Sequence, residues 1–591
     1  MTGPKTDFGT IALHWAIAVP FTVVAATGLR ILADEADFAW LSAFDGVLPS
    51  DNLWYWHIIG GLCFASALAA YATYVVAARL KRRIRLDPHR LGGLLRGGSQ
   101  RWSAIGLMVL WIGLAAFAVE VATGVLLYVG EGSVALHYHR IVAFVCVAFP
   151  VAHVLAHYVS GGSAQLLRIV RPTRLVMPPP DPDVLALLAD HVRLVDDLKQ
   201  GRPVSTAGLA KTPEPRGKRR PLALATLCGV GAALAGALLD RGTGTTLRVP
   251  AIGALGGSKV PTIDGDLSDP IWATAPAVSV HTDLGANLGG RHSSRVEVRA
   301  VHDGERIFFA FTWDDPTRSL KHAPLVKRGD GWHVARTSPV NAREDEFAED
   351  QFSVLLSRPT FPLVGAGIHL SPQPIAHYPA SSSGRGLHYT PPGVVADVWV
   401  WRADHGGLIG HVDDAHFNPP QEPTADERAG RDAYLGGFAF DAGDDCFIDG
   451  LEDAEGPAPH PARLPRDLAA VTAAMGPIHD SPDAGEDERA RWWMTAADTV
   501  PYSVEADQRI PAGTILPGVS MLCVPSGDRA DLQGVARWAA GHWTLEISRR
   551  LDTRSAEDIA ITSGAMMWLA VFDHSATRHT RHVRPIVLEI L

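Results

Sequence analysis

A bundle of transmembrane α-helices followed by an all-β sandwich is the fold class this sequence predicts. Apolar runs long enough to cross a bilayer are confined to the first 240 residues. Beyond them the pattern changes to short alternating runs broken by Gly, Pro, Asp and Asn, as strands and turns require. The length of 591 residues also exceeds what one core supports and asks for at least two units.

The apolar runs fall at 11–29, 54–78, 104–128, 139–159 and 221–239, each roughly the 20 residues a bilayer demands. The first has no small-residue cleavage site and carries His14 near its start, so it reads as a retained helix. The loop 79–102 holds Arg79, Lys81, Arg82, Arg83, Arg85, Arg90, Arg96 and Arg101 against Asp87 alone, whereas the loop 30–53 holds five acids and Arg30. The positive-inside rule puts 79–102 in the cytoplasm and 30–53 outside. The segment 160–220, with eleven Lys and Arg against six acids, then falls inside as well. An N-terminus in the cytoplasm and five crossings deliver the rest of the chain to the outer side, the periplasm of a bacterial inner membrane. The expected organisation is a four-helix bundle over 1–165, a cytoplasmic linker over 166–220, a fifth anchor helix over 221–240, a Gly-rich linker over 241–258 and a periplasmic sandwich over 259–591.

From Asp240 onward the chain has 31 Lys and Arg against 48 Asp and Glu, a net of −17, while the residues before it carry +7. An acidic exterior domain argues against nucleic acid and suits a partner with a basic face. Cys63, Cys146 and Cys228 lie in apolar runs as small packing residues. Cys446 and Cys523 face an oxidising compartment and could pair, although sequence alone cannot place them close enough. The linker contains Arg171, Pro172 and Pro178 to Pro180, then an amphipathic piece from Val184 to Leu198. In the β-rich part, Val296, Val298 and Ala300 and then Ile307, Phe309, Phe311 and Trp313 alternate about Asp303-Gly304, which reads as a hairpin. Similar runs recur at 351–356, 395–401, 535–548 and 565–572, with irregular insertions at about 315–345 and 415–500. Trp399, Trp401, Trp538 and Trp543 read as sandwich core.

An ionisable or metal-binding side chain inside a membrane helix is costly and marks function by default. His14 lies near the inner end of the first helix, His57 near the outer end of the second, His139 near the outer end of the fourth and His153 near its inner end. His139 and His153 are 14 residues apart, close to four helical turns, so they share a face about 21 Å apart along the axis. The topology sets His14 level with His153 and His57 level with His139. Each level supplies two imidazoles, the ligand set of a low-spin haem b whose task is electron transfer. His137 and His157 lack such a partner and read as interfacial or quinone-site residues.

His14-Trp15 followed by Thr27-Gly28, the His57-x-x-Gly60 start of the second helix and the His139/His153 spacing resemble the four-helix di-haem cytochrome b family. That family includes bacterial cytochrome b561 and the cytochrome b subunits of nickel-iron hydrogenase and formate dehydrogenase. The resemblance covers about residues 5–165. It implies that helix four ligates both haems, with His14 completing the His153 site and His57 the His139 site, and that a quinone site lies near one haem.

Further on, Ile263-Asp264-Gly265-Asp266 with Trp272, the 296–313 hairpin, Asp397-Val398-Trp399-Val400-Trp401, Gly410 to Asp414, and Asp531 to Thr553 resemble the haem-binding domain of the ethylbenzene dehydrogenase gamma-subunit type. That resemblance implies a β-sandwich holding one haem, with a Met and a Lys or His as axial ligands. This chain departs from the pattern: no lysine follows Lys327, His388 stands where a Met would be expected, His369 lies where an attachment histidine of other members falls, and His574, His579 and His582 stand near the C-terminus. His388 and His582 are the leading expected pair for a third haem, with Met521 as a substitute.

The function expected is a membrane-bound b-type cytochrome that moves electrons between the quinone pool and a periplasmic redox partner such as a molybdoenzyme or a cytochrome c. The chain reads as an electron-transfer subunit with no catalytic acid, base or nucleophile; Glu344, Asp345 and Glu346 read as a solvated face. Two other readings remain open on sequence: a membrane-anchored binding or sensing module whose sandwich carries no haem, and a terminal reductase with an open haem position.

Overall fold

The computed structural model describes the chain except for residues 1–4, 34–35, 45, 131, 176–187, 189–190, 194, 197–198, 201–219, 258, 284–292, 336–346, 360–368, 372–374, 376–386, 430–433, 452–458, 480, 482–483 and 576–578. Most of the amphipathic piece at 184–198 and the carboxylates at 344–346 fall outside the described residues. Two compact units form: 1–26 with 56–124 and 138–241, and 27–55 with 125–137 and 242–591.

Among the described residues five helices are long and apolar enough to cross a membrane: α1 (Phe8–Ala33), α2 (Leu53–Ala77), α3 (Ser99–Val129), α4 (Ser133–Leu166) and α5 (Pro221–Thr243). α1, α3, α4 and α5 extend past their apolar runs, and α2 matches its run to within one residue at each end. In the first unit, Phe64, Ala116, Phe117 and Cys146 are buried together, with Phe21, Val142 and Phe149 packed around them. Gly113 on α3 makes room for this layer, since a Cβ there would sit 2.3 Å from the Phe149 ring. The basic loop does more than set orientation: Arg83 pairs with buried Asp7 at 2.9 Å, and the Tyr74 hydroxyl donates to the same carboxylate at 2.6 Å. Asp7 thereby ties the start of α1 to the end of α2.

In the second unit fourteen strands make two sheets: β1 (Thr245–Val249), β2 (Ala277–Thr282), β3 (Ser294–His302), β4 (Arg306–Asp314), β5 (Gln351–Ser357), β6 (Ala396–Arg402), β7 (Gly410–His411), β8 (Asp413–Phe417), β9 (Phe438–Phe440), β10 (Gln533–Ala539), β11 (His542–Arg550), β12 (Met566–Phe572), β13 (Thr580–Arg581) and β14 (Ile586–Ile590). One sheet runs β9-β8-β6-β5-β12-β14-β1 with β13 beside β12, and the other runs β7-β10-β11-β4-β3-β2. The expected hairpin is β3 and β4, paired Val296 to Trp313 and Ala300 to Phe309. Period two puts Val296, Val298, Phe309, Phe311 and Trp313 on one face. They share a core with Phe352, Val354, Trp399, Trp401, Met567 and Leu569 of the facing sheet.

Trp399, Trp401 and Trp543 are fully buried in that core, and Trp538 packs against it. The insertions are less irregular than their sequence suggests. The first contains a hairpin of Leu325–Arg328 and Gly331–Val334, turned at Gly329-Asp330. The second includes β8, β9 and the helix Leu468–Met475, capped by the Asp467 side chain. These elements are too short to leave a periodic trace. Cys446 and Cys523 form a disulfide, their Cα atoms 5.0 Å apart.

Deleting a fully buried indole from a packed core leaves a cavity that neighbours cannot fill. Trp401→Ala is expected to lower the stability of the β unit by about 3–5 kcal/mol, read as a lowered denaturant midpoint by tryptophan fluorescence while the α-helical circular dichroism persists.

Candidate functional site

His57 on α2 and His139 on α4 face one another with ring centroids 6.3 Å apart and planes at 82°. Two imidazoles sharing one metal at about 2 Å per bond have ring centres roughly 6 Å apart. The pair therefore has the spacing of a bis-histidine iron site. His139 Nδ1 lies 2.8 Å from Glu120 Oε2 and 2.9 Å from Thr123 Oγ1, and the His57 imidazole bonds to the Val24 carbonyl. A ligating histidine commonly has one ring nitrogen held by a carboxylate or carbonyl, which fixes its tautomer and aims the other at the metal. Gly60 permits the Val24 contact, because a Cβ there would lie 2.8 Å from Val24 Cγ2 and push α1 from α2.

Glu120 was missed by reasoning from the sequence. It is the sole acid in α3, a helix with 18 consecutive residues of high hydropathy, and the rule that flagged the membrane histidines would have found it. Glu120 and Thr123, three residues apart, project from one face of α3 and meet His139 together.

At the other level three imidazoles gather. His14, His153 and His157 lie within electrostatic range of one another, and the rings of His153 and His157 are 4.6 Å apart. His14 Nδ1 is buried without a hydrogen-bond partner, as suits a nitrogen that binds something beyond the protein. His157, expected to be an interfacial or quinone-site residue, adjoins His153 one turn along α4. Between the levels lies an aromatic layer: Phe117 sits 5.4 Å from Phe21, 5.1 Å from Phe64 and 5.1 Å from Phe149, whose ring is 5.2 Å from His153. A cleft of about 690 Å³ opens between α2 and α5, lined by Thr73, Val76, Ala77, Arg220, Pro221 and Leu224.

The histidines of the β unit are arranged differently. His388 lies on a short strand paired to 369–371, its ring 5.8 Å from Phe417. The side chain of His369 is outside the described residues. His582 engages both ring nitrogens with backbone: Nε2 accepts from Leu569 N at 2.9 Å and Nδ1 lies 2.6 Å from the Arg584 carbonyl. In that arrangement neither nitrogen can meet an iron, so the expected His388/His582 set does not fit a haem. The reason is local, since the turn after β13 brings those backbone groups around the ring. Met521, the substitute, lies on a strand paired to Phe447–Asp449 near the disulfide. His574 bonds Asp573 at 2.8 Å, and His579 packs on Phe572.

Comparison with known proteins gives two family-model matches, ethylbenzene dehydrogenase over residues 269–584 and prokaryotic cytochrome b561 over 5–171. No curated protein matches significantly. Among solved structures, one from Bacteroides uniformis described as a carbohydrate-binding protein aligns with 59% of this chain and 100% of its own, at 8% identity and a TM-score of 0.22. A likeness that low bears on neither fold nor function.

The D-x-W-x-W stretch within the first match carries an electrostatic feature of its own. Asp397 is fully buried, contacts Arg549 and stands with Asp414 and Asp558 in one cluster. Burial and the Asp558 carboxylate outweigh the Arg549 guanidinium and push the Asp397 carboxyl up to about 7. An unfolded aspartate titrates near 3.9, so between about pH 4 and pH 7 the native state binds more protons. The contribution is fully present below about 4 and is lost as pH rises through 7. Thermal melts of the full chain are expected to show stability falling over that window, with a shallower slope in Asp397→Asn.

Proposed function

Because the chain belongs to the ethylbenzene dehydrogenase family and carries a prokaryotic cytochrome b561 bundle ahead of that domain, we propose that it relays electrons between membrane quinone and a partner docked on its acidic exterior domain. The observation that carries this reading is the 6.3 Å His57–His139 pair with Glu120 behind it. The coarse part is established: the protein is an integral membrane cytochrome of the b561 type, and such cytochromes transfer electrons.

Haem b, when bound, supplies reversible one-electron transfer at iron. His57 and His139 would hold one haem and His14 and His153 the other, and a haem held by two imidazoles would supply electron transfer rather than oxygen or substrate chemistry. Glu120 and Thr123 orient His139, and the Val24 carbonyl orients His57. The Phe21, Phe64, Phe117 and Phe149 layer keeps the space between the two levels apolar, so that no water bridges them and each site keeps its own potential. His157 beside His153, and the cleft between α2 and α5, are the places that suit a quinone headgroup and its protons. The distribution of positive loops supports a cytoplasmic N-terminus and a periplasmic β unit. There a net charge of −17 from Asp240 onward favours a basic-faced molybdoenzyme or cytochrome c.

A second reading of the exterior domain is favoured by His582, whose nitrogens are both engaged: the sandwich acts as the docking module and no electron step passes through a haem within it. Pyridine haemochrome analysis of the purified full-length chain distinguishes these arrangements. Two haems b per chain are expected, with one remaining in His57→Ala or His139→Ala. Three would restore an exterior haem, and none would end the cytochrome assignment for this chain. The reduced protein is expected not to bind carbon monoxide, since an open axial position is what that ligand needs.

Glu120→Gln is expected to retain both haems while raising the midpoint potential of one by on the order of tens of millivolts, because a neutral amide makes His139 a poorer donor to ferric iron. Redox titration of the reduced spectrum reads this directly.

A further inference from the structure

Outside the membrane sites, two histidines of the β unit are built in the way metal ligands are built. β5 and β6 are antiparallel with Gln351 opposite Arg402, so the residues just before β5 and just after β6 meet at one end of the sheet. Glu349 comes from the first position, and Asp404 and His405 from the second. His322 reaches the same place from the segment after β4, and Asp449 from the strand Phe447–Asp449 that the Cys446–Cys523 disulfide flanks.

Each imidazole has its Nδ1 held by a buried carboxylate. His322 Nδ1 lies 2.6 Å from Glu349 Oε2, and His405 Nδ1 lies 2.5 Å from Asp404 Oδ1; both carboxylates are fully buried. With Nδ1 carrying the proton toward the carboxylate, Nε2 presents its lone pair. Both Nε2 atoms face Asp449 Oδ2, at 3.8 Å for His322 and 3.6 Å for His405. Those gaps are too long for hydrogen bonds. They approximate the roughly 3.4 Å between ligands that bind a common ion tetrahedrally at about 2.1 Å. The two rings stand 5.3 Å apart and nearly perpendicular. His405 Nε2 is buried without a hydrogen-bond partner, an arrangement that costs stability unless something accepts its lone pair.

We infer that Nε2 of His322, Nε2 of His405 and the Asp449 carboxylate form a site for one divalent transition-metal ion of the zinc type. Glu349 and Asp404 act behind the ligands as positioning residues. Two imidazoles and a carboxylate suit zinc or ferrous iron over calcium or magnesium, which take oxygen ligands. Asp449 is 41% exposed, so the fourth position opens to solvent and takes a water. Three carboxylates surround the site, and the one guanidinium that faces them, Arg402, is paired with Asp413 at 2.8 Å. The ion would also join the insertion carrying the disulfide to the ends of β5 and β6.

Zinc is the probe, because it is distinct from haem iron in elemental analysis. Full-length protein is stripped with EDTA, reloaded with Zn²⁺, dialysed and assayed for zinc per chain by mass spectrometry, with affinity measured against a chromophoric chelator. One retained zinc per chain is expected, with affinity at least tenfold weaker in His405→Ala and in the near-isosteric Asp449→Asn. Glu349→Gln is expected to weaken binding roughly 10–100-fold. His333→Ala, at an exposed histidine away from the cluster, is expected to bind as the parent does, and iron content and the reduced haem spectrum are expected to be constant throughout. Failure of the parent chain to retain zinc, or equal retention by Asp449→Asn, would overturn the assignment.

Discussion

A carboxylate inside an apolar bundle must be matched, and Glu120 is matched by the Nδ1 of His139. Much of the membrane unit can be understood from that contact. An unpaired carboxylate among hydrocarbon costs several kcal/mol or forces itself neutral, so α3 and α4 are held in the register that brings Glu120, Thr123 and His139 together. That register sets the His139 ring toward His57, and His57 in turn needs α1 close enough to offer the Val24 carbonyl. Gly60 allows that approach. The aromatic layer then fills the space below, with Gly113 shaped to the Phe149 ring. One polar contact therefore organises four helices and fixes where the imidazoles point.

The parts of this protein that were legible in its sequence are those that follow from periodicity and from scarcity. Long apolar runs allow one structural solution in a bilayer, so all five helices could be read. Four histidines in such runs are rare enough to stand out, and helical geometry with the loop charges paired His57 with His139 before any coordinates. The alternation from Val296 to Trp313 likewise specified both the hairpin and its buried face.

Other features depend on partners that no local pattern encodes. His582 looked like a candidate ligand because residue type and position near the C-terminus were all that could be weighed. Its ring is claimed by Leu569 and Arg584 through a turn whose geometry emerges only once β12 and β13 are paired. The converging nitrogens of His322 and His405 are hidden for the same reason: the two lie 83 positions apart, and only the folded β unit brings them together. Glu120 is a different case. Its signal, a lone acid in an apolar run, is present in the sequence.

The strand pairing at the edge of the larger sheet bears on how the protein is made. β1 follows directly on the helix α5, yet it pairs in parallel with β14, so Thr245 meets Ile586 and Val249 meets Ile590. A parallel partner more than three hundred residues away is a slow contact to close, because the whole intervening chain must be ordered first. During synthesis β1 has to wait with its hydrogen-bonding edge open until β14 has emerged from the ribosome. Biogenesis thus contains a vulnerable interval, in which a capping chaperone would be useful and any truncation ahead of β14 would leave the edge of β1 unpaired.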